Sequence, residues 1–336
     1  MESLPMLTSK QMVWLCFSLT LLSGVSYSVI AWSSFPLSVI DLWYSMSTSP
    51  SPSIEQQIIR TIRIPRVLSG MVIGANLAVA GLLMQGITRN RLASPSVLGI
   101  NSGAACVMAL GALNLPILSE FPSIVLAGIG GMLSGATAML LGGVFNSRSN
   151  PLKLVLAGIA LNALLIGLTR ASVILVDDNA YTIITWLAGS ISSLGWKEWH
   201  TLWPISLVGL TMAVTVSRHL NLIALGNESA ISLGIHIPRT QAITSIAILL
   251  LTASSVAVAG PIGFVGLLIP HIAKRLVGSN YVVLVPACAL LGAALVTWAD
   301  ALSRSIAFPA ETPVGAITAL IGTPCFIYLA IRHSDS

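Results

Sequence analysis

The sequence predicts an all-α integral membrane protein, a bundle of about ten transmembrane helices. Three observations carry that expectation. Of 336 residues 55% are hydrophobic and only 8% are charged, against about 25% charged in an ordinary soluble domain, and the mean hydropathy is +0.91. The apolar runs are long enough to cross a bilayer as helices. They are also continuous rather than alternating, which excludes a transmembrane β-barrel. Residues 1–336 read as one transmembrane domain, with no soluble domain attached.

In chain order, the first span covers 12–32. It follows Lys10 like a signal peptide, but it is too long for an h-region and no small-x-small cleavage site ends it. A Ser/Pro-rich connection at 45–53 (SMSTSPSPS) is too polar for a core element. Further spans are expected at 67–87, 97–113, 124–145, 154–176, 202–216, 242–259, a short one at 262–272, then 282–299 and 314–331. Small residues four apart, Gly70 and Gly74, Gly99 and Gly103, Gly131 and Gly135, permit close helix approach in lipid.

Alternating spans from a cytoplasmic N-terminus put Lys10, Arg89, Arg91, Arg148, Lys153, Arg218, Arg239, Lys274, Arg275 and Arg332 inside. Arg60, Arg63, Arg66, Arg170, Lys197 and Arg304 then fall outside. The larger basic share inside satisfies the positive-inside rule. The net charge of +5 therefore reports orientation, and no nucleic-acid partner is expected. Cys16, Cys106, Cys288 and Cys325 lie singly in apolar runs, without metal-ligand or disulfide spacing.

No catalytic residue and no metal site are expected. The chain has neither a G-x-x-x-x-G-K-[ST] loop for ATP nor a Gly-x-Ser-x-Gly elbow, and His271 reads as a helix-end histidine. Charges inside the spans are nearly absent, which disfavours an ion-coupled secondary transporter. Asp300 and Arg304 are spaced for an i,i+4 pair. Asn76, Gln85 and Asn162 read as interhelical hydrogen-bond partners. Two segments stand out. Arg63 and Arg66, in IRIPR at 62–66, share a face if helical and lie on the same side as Arg304. Such a cationic mouth suits an anionic ligand, a docking protein's carboxylates, or lipid headgroups. The segment 218–239, RHLNLIALGNESAISLGIHIPR, is too polar to span and reads as two short helices with turns at Gly226 and Gly234. It suits a protein contact or a plain connection.

Blocks along nearly the whole chain resemble the FecCD-type permeases of ATP-binding-cassette (ABC) importers for ferric siderophores, haem and vitamin B12. They include IRIPR, GANLAVAGLLMQGITRNRLASPSVLGINSGA at 74–104, LKLVLAGIALNALLIGLTR at 152–170 and LNLIALGNESAISLGI at 220–235. VAGPIGFVGLLIPHIAKRLVG at 258–278, ADALSR at 299–304 and PVGAITALIGTPCFIYL at 313–329 complete the set. Within the family the wording is most similar to the branch that serves iron(III) dicitrate.

The resemblance implies a BtuC-like bundle of ten helices in the bacterial inner membrane, with both termini cytoplasmic. It also implies a second permease subunit, identical or paralogous, and a path between the two. Two copies of a cytoplasmic ATPase subunit would use the ATP, so this chain binds no cofactor itself. A periplasmic substrate-binding protein would dock through its acidic residues on Arg63, Arg66 and Arg304. Coupling to the ATPase falls on 220–235, with Leu225, Gly226, Glu228, Ser232 and Gly234. The implied cargo is a ferric chelate moving from periplasm to cytoplasm, with another siderophore, haem or vitamin B12 as the alternative.

Overall fold

The computed structural model describes residues 9–30, 53–113, 115–143, 151–175 and 180–334, and every regular element among them is helical. In order these are α1 (Ser9–Ile30), α2 (Ile54–Ile58), α3 (Ile64–Thr88), α4 (Ile100–Ala112), α5 (Ser123–Leu141), α6 (Pro151–Leu175) and α7 (Ala180–Leu187). They continue with α8 (Trp196–Ala224), α9 (Asn227–Ser232), α10 (Ile237–Ala259), α11 (Val265–Val277), α12 (Tyr281–Ile306) and α13 (Val314–Ser334). Each expected span has its helix. Seven helices are long and apolar enough to cross a membrane, and Ile100–Ala112 and Val314–Ile327 are shorter apolar helices. Of the Ser/Pro-rich stretch at 45–53, residues 45–52 lie outside the described residues, as does Arg148.

The centre of the bundle is α3. Its approach is fixed by Ser53, whose Oγ accepts from Gln56 N at 3.4 Å while Gln56 Oε1 accepts from Ser53 N at 3.4 Å, a reciprocal helix start. A π turn, Ile59–Arg63, then leads into Pro65 at the first turn of α3, where a missing N–H costs nothing. In the most apolar 18 residues of the span Ile54–Thr88, 83% are buried, against 17% of the corresponding stretch of Lys153–Leu175 in α6. Thus α3 is a core helix walled by α8, α10, α11 and α12, whereas α6 meets the rest of the chain along a narrow strip.

Glycine sets how closely the walls approach. A Cβ on Gly74 would collide with Gly292 O of α12, and one on Gly81 with Gly266 O of α11. These are backbone-on-backbone crossings of the kind that replaces hydrophobic association in lipid. The spacing motif pointed to Gly74; Gly81 and its partner lie outside any four-residue pair that was read.

Two departures from the expected boundaries bear on the site. The sixth span was expected at 202–216, but α8 runs from Trp196 to Ala224. Glu198 Oε2 accepts from Gly195 N at 2.9 Å to start it early, and Pro204 stands inside it. Arg218 and His219 are therefore on a helix end, not in a loop. The anticipated pair of short helices across 218–239 is one short helix, α9, between the ends of α8 and α10. Gly226 (φ 124°) and Gly234 (φ 82°) supply its two turns, both in backbone regions that favour glycine.

Candidate functional site

The unusual segments lie at opposite ends of α3, about 37 Å apart along its axis. At the end where α3 begins, Asp300 organises a buried ion cluster. Its carboxylate, on α12, receives Arg66 of α3 through Nη2 at 2.7 Å and Nε at 2.9 Å. It also receives Arg304, one turn on, through Nη2 at 2.9 Å. Ser28 of α1 donates Oγ–H to the same carboxylate at 2.7 Å. Arg304 Nη2 in turn donates to Ser28 O at 2.7 Å. The second carboxylate belongs to Glu311, in the α12–α13 connection, which takes Arg66 Nη1 at 3.0 Å and Nη2 at 2.9 Å.

Arg66 and Arg304 are 3% and 1% exposed, and Arg63, on the π turn, is 8% exposed. The three arginines picked out by sequence are therefore brought together, but inside the protein and facing its own acids rather than at the solvent edge. Glu311, with its side chain 34% exposed, is the member of the Arg66 pairs open to water. Sequence reasoning found the Asp300–Arg304 spacing but not Arg66–Asp300, because no local pattern ties residues of two helices. Ser28 and Glu311 carried no signal beyond their residue types.

At the far end of α3, Arg89 closes the helix in the left-handed region at φ 51°. Its Nη2 donates to Ile223 O at 3.0 Å, in the last turn of α8, and also to Asn227 Oδ1 at the start of α9. Arg89 thus binds the end of the central helix to the 226–234 segment. The sequence had marked it only as an inside charge. Next to it, Asn221 Nδ2 donates to Asn280 Oδ1 at 2.8 Å, and Asn221 Oδ1 accepts from Tyr281 N at 2.8 Å. Lys274 Nζ donates to Gln85 Oε1 at 3.1 Å. These contacts lock α8, α11, α12 and α3 at one level.

On α9 and its two flanks, Ala230 is fully buried against the bundle while Leu225, Ile231 and Leu233 are 70%, 61% and 59% exposed. Glu228, Ser232 and Gly234 are exposed beside them, and Gly226 is half-buried. The segment is held rigidly on one side and presents an apolar, singly charged surface on the other. Deep in the bundle, Asn76 Nδ2 donates to Ser206 Oγ at 2.7 Å and Ser255 Oγ at 3.1 Å, joining α3, α8 and α10.

The model of the FecCD transport family matches residues 18–332. The chain belongs to the FecCD transport family. It is 40% identical over 307 residues to the Fe(3+) dicitrate transport system permease protein FecC of Escherichia coli (strain K12), covering 91% of this chain and 92% of that one. It is 42% identical over 278 residues to the Fe(3+)-citrate import system permease protein YfmD of Bacillus subtilis (strain 168), covering 83% and 82%. A solved metal-chelate type ABC transporter in an inward-facing conformation superposes with a TM-score of 0.80 at 29% identity, covering 96% of this chain and 99% of that chain. As a FecCD-family permease the chain is a multi-pass membrane protein and a transport subunit rather than an enzyme.

Proposed function

We propose that this chain is the transmembrane permease of an ABC importer that carries a ferric chelate, iron(III) dicitrate, from the periplasm across the bacterial inner membrane. Similarity to dicitrate and citrate permeases along more than four-fifths of the chain supports this reading. A separate cytoplasmic ATPase, present in two copies, would supply the energy from ATP. It would press on Leu225, Gly226, Glu228, Ser232 and Gly234, and the exposed apolar side chains around α9 suit a groove in such a partner. A second permease subunit, paralogous or identical, would cover the sparsely buried α6 and complete the path.

A periplasmic binding protein would dock by its acidic residues at the Arg63, Arg66 and Arg304 end. Three guanidiniums against the carboxylates of Asp300 and Glu311 leave the cluster itself with one net positive charge. Arg63, the most exposed of the three at 8%, is assigned the direct contact, and Arg66 and Arg304 supply field and rigidity. Alternating access follows if movement of α9 reaches the bundle through Arg89. The test is uptake of radiolabelled ferric citrate into vesicles holding the chain with its co-purified subunits. Uptake that requires ATP and the binding protein is expected; uptake driven by an ion gradient without ATP overturns the proposal.

A further inference from the structure

Between α5, α8 and α10 the bundle leaves a crevice of about 270 Å³ that serves none of the contacts described so far. Its walls are apolar: Ile124, Gly128, Leu202, Ile205, Ala253 and Ala257 among them. The two hydroxyls on the walls turn to their own helices, Thr201 Oγ1 donating to Lys197 O at 3.1 Å and Ser254 Oγ to Leu251 O at 3.3 Å. They therefore add no polar demand to the space. The outer lining residues Val125, Ile129 and Met132 are 39%, 44% and 42% exposed, so the crevice opens sideways, toward the membrane.

Its position in depth identifies the occupant. The crevice begins in the first turn of α5 and the second turn of α8. Trp196, at the start of α8, donates Nε1–H to Arg60 O at 2.9 Å, which fixes this as the Arg63–Arg66 end of the molecule. From there the lining runs from Ile124 to Met132 along α5, about 12 Å at the rise of a helix. One leaflet of a bilayer's hydrocarbon is about 15 Å deep. One turn above Thr201 on the same helix stands Lys197, exposed and in no ion pair among the described residues. Trp196 and His200 flank it, their rings 6.1 Å apart, as aromatic side chains do at the headgroup level.

We infer that the crevice binds one acyl chain of an anionic phospholipid from the leaflet at the Arg66 end, with the headgroup phosphate against Lys197. The apolar slot accounts for the chain and the single cation above it for the headgroup.

The test is a photo-reactive phenylalanine in place of Ile129, in the full chain with its accompanying subunits, in bilayers of phosphatidylglycerol and phosphatidylethanolamine. Irradiation is expected to give a phosphatidylglycerol adduct, identified by mass. Gly128→Trp fills the slot; a Cβ there meets only Ala257 Cβ, at 3.6 Å, so the backbone has room. It is expected to abolish the adduct, and Gly128→Leu carries the same expectation should the larger residue hinder folding. Lys197→Gln is expected to lower the preference for phosphatidylglycerol about fivefold, the worth of one basic residue near a charged surface. An adduct with a protein chain at position 129 overturns the inference. So does a lipid adduct unchanged by the Gly128 and Lys197 variants.

Discussion

Asp300 holds two guanidiniums in a place where water reaches none of the three side chains appreciably. Removing its charge leaves Glu311 as the acid paired with Arg66 and takes the carboxylate away from Arg304. Breaking a buried ion pair from one side costs about 3–5 kcal/mol, so Asp300→Asn is expected to lower thermal stability by that order. Glu311→Gln removes a partner that already meets solvent, and a loss of about 1 kcal/mol or less is expected. Thermal unfolding of the two variants in the same detergent checks the ranking. Equal losses would mean that Glu311 anchors the cluster as much as Asp300 does. A serine hydroxyl from α1 completing this cluster was invisible in sequence, since Ser28 looks like any small polar residue in a span.

At the scale of elements, α9 is the piece on which coupling is assigned, and two positions hold it in place. Gly226 adopts φ 124° and ψ 151°, a region closed to residues with a Cβ at a cost of about 1–3 kcal/mol. Gly226→Leu is expected to leave the bundle assembled while ATP hydrolysis continues without uptake; normal uptake removes α9 from the coupling route. Arg89→Ala frees Asn227 and the last carbonyls of α8. Amide exchange across 226–235 is then expected to quicken while α3 keeps its protection, and an unchanged rate would show that Ala230 packing alone fixes the segment. The turn glycines here could be read in the sequence because Gly226 and Gly234 bracket a polar stretch. The length of α8 could not: polar residues such as Arg218 and Asn221 end a hydropathy run without ending a helix.

For the whole molecule, a helix at each apolar run followed from hydropathy because lipid demands continuous apolar helices, although seven of them are long enough to cross on length and composition. Which helix is central did not follow, since α3 and α6 have similar hydropathy, 2.0 and 1.9, and opposite burial. Burial is set by partners distant in sequence, and Gly81 against Gly266 is such a pairing. The two ends of α3 also carry different tests. Arg63→Glu is expected to weaken binding-protein docking, most at low salt where surface charges are least screened, with ATPase attachment intact. Titration of the binding protein onto the assembled transporter at two salt concentrations measures it, and an affinity that does not move takes Arg63 out of the docking contact.

The glycine crossings have a mechanical consequence. Where two helices meet through side chains, a rotamer change lets one slip past the other; where Gly74 faces Gly292 and Gly81 faces Gly266, no side chain is available to yield. The seams of α3 with α11 and α12 therefore act as a keyed joint that can turn as a block but cannot shear. The ion cluster at one end of this block and the Arg89 clasp at the other are fastened to the same strut, so a push at either is felt at both.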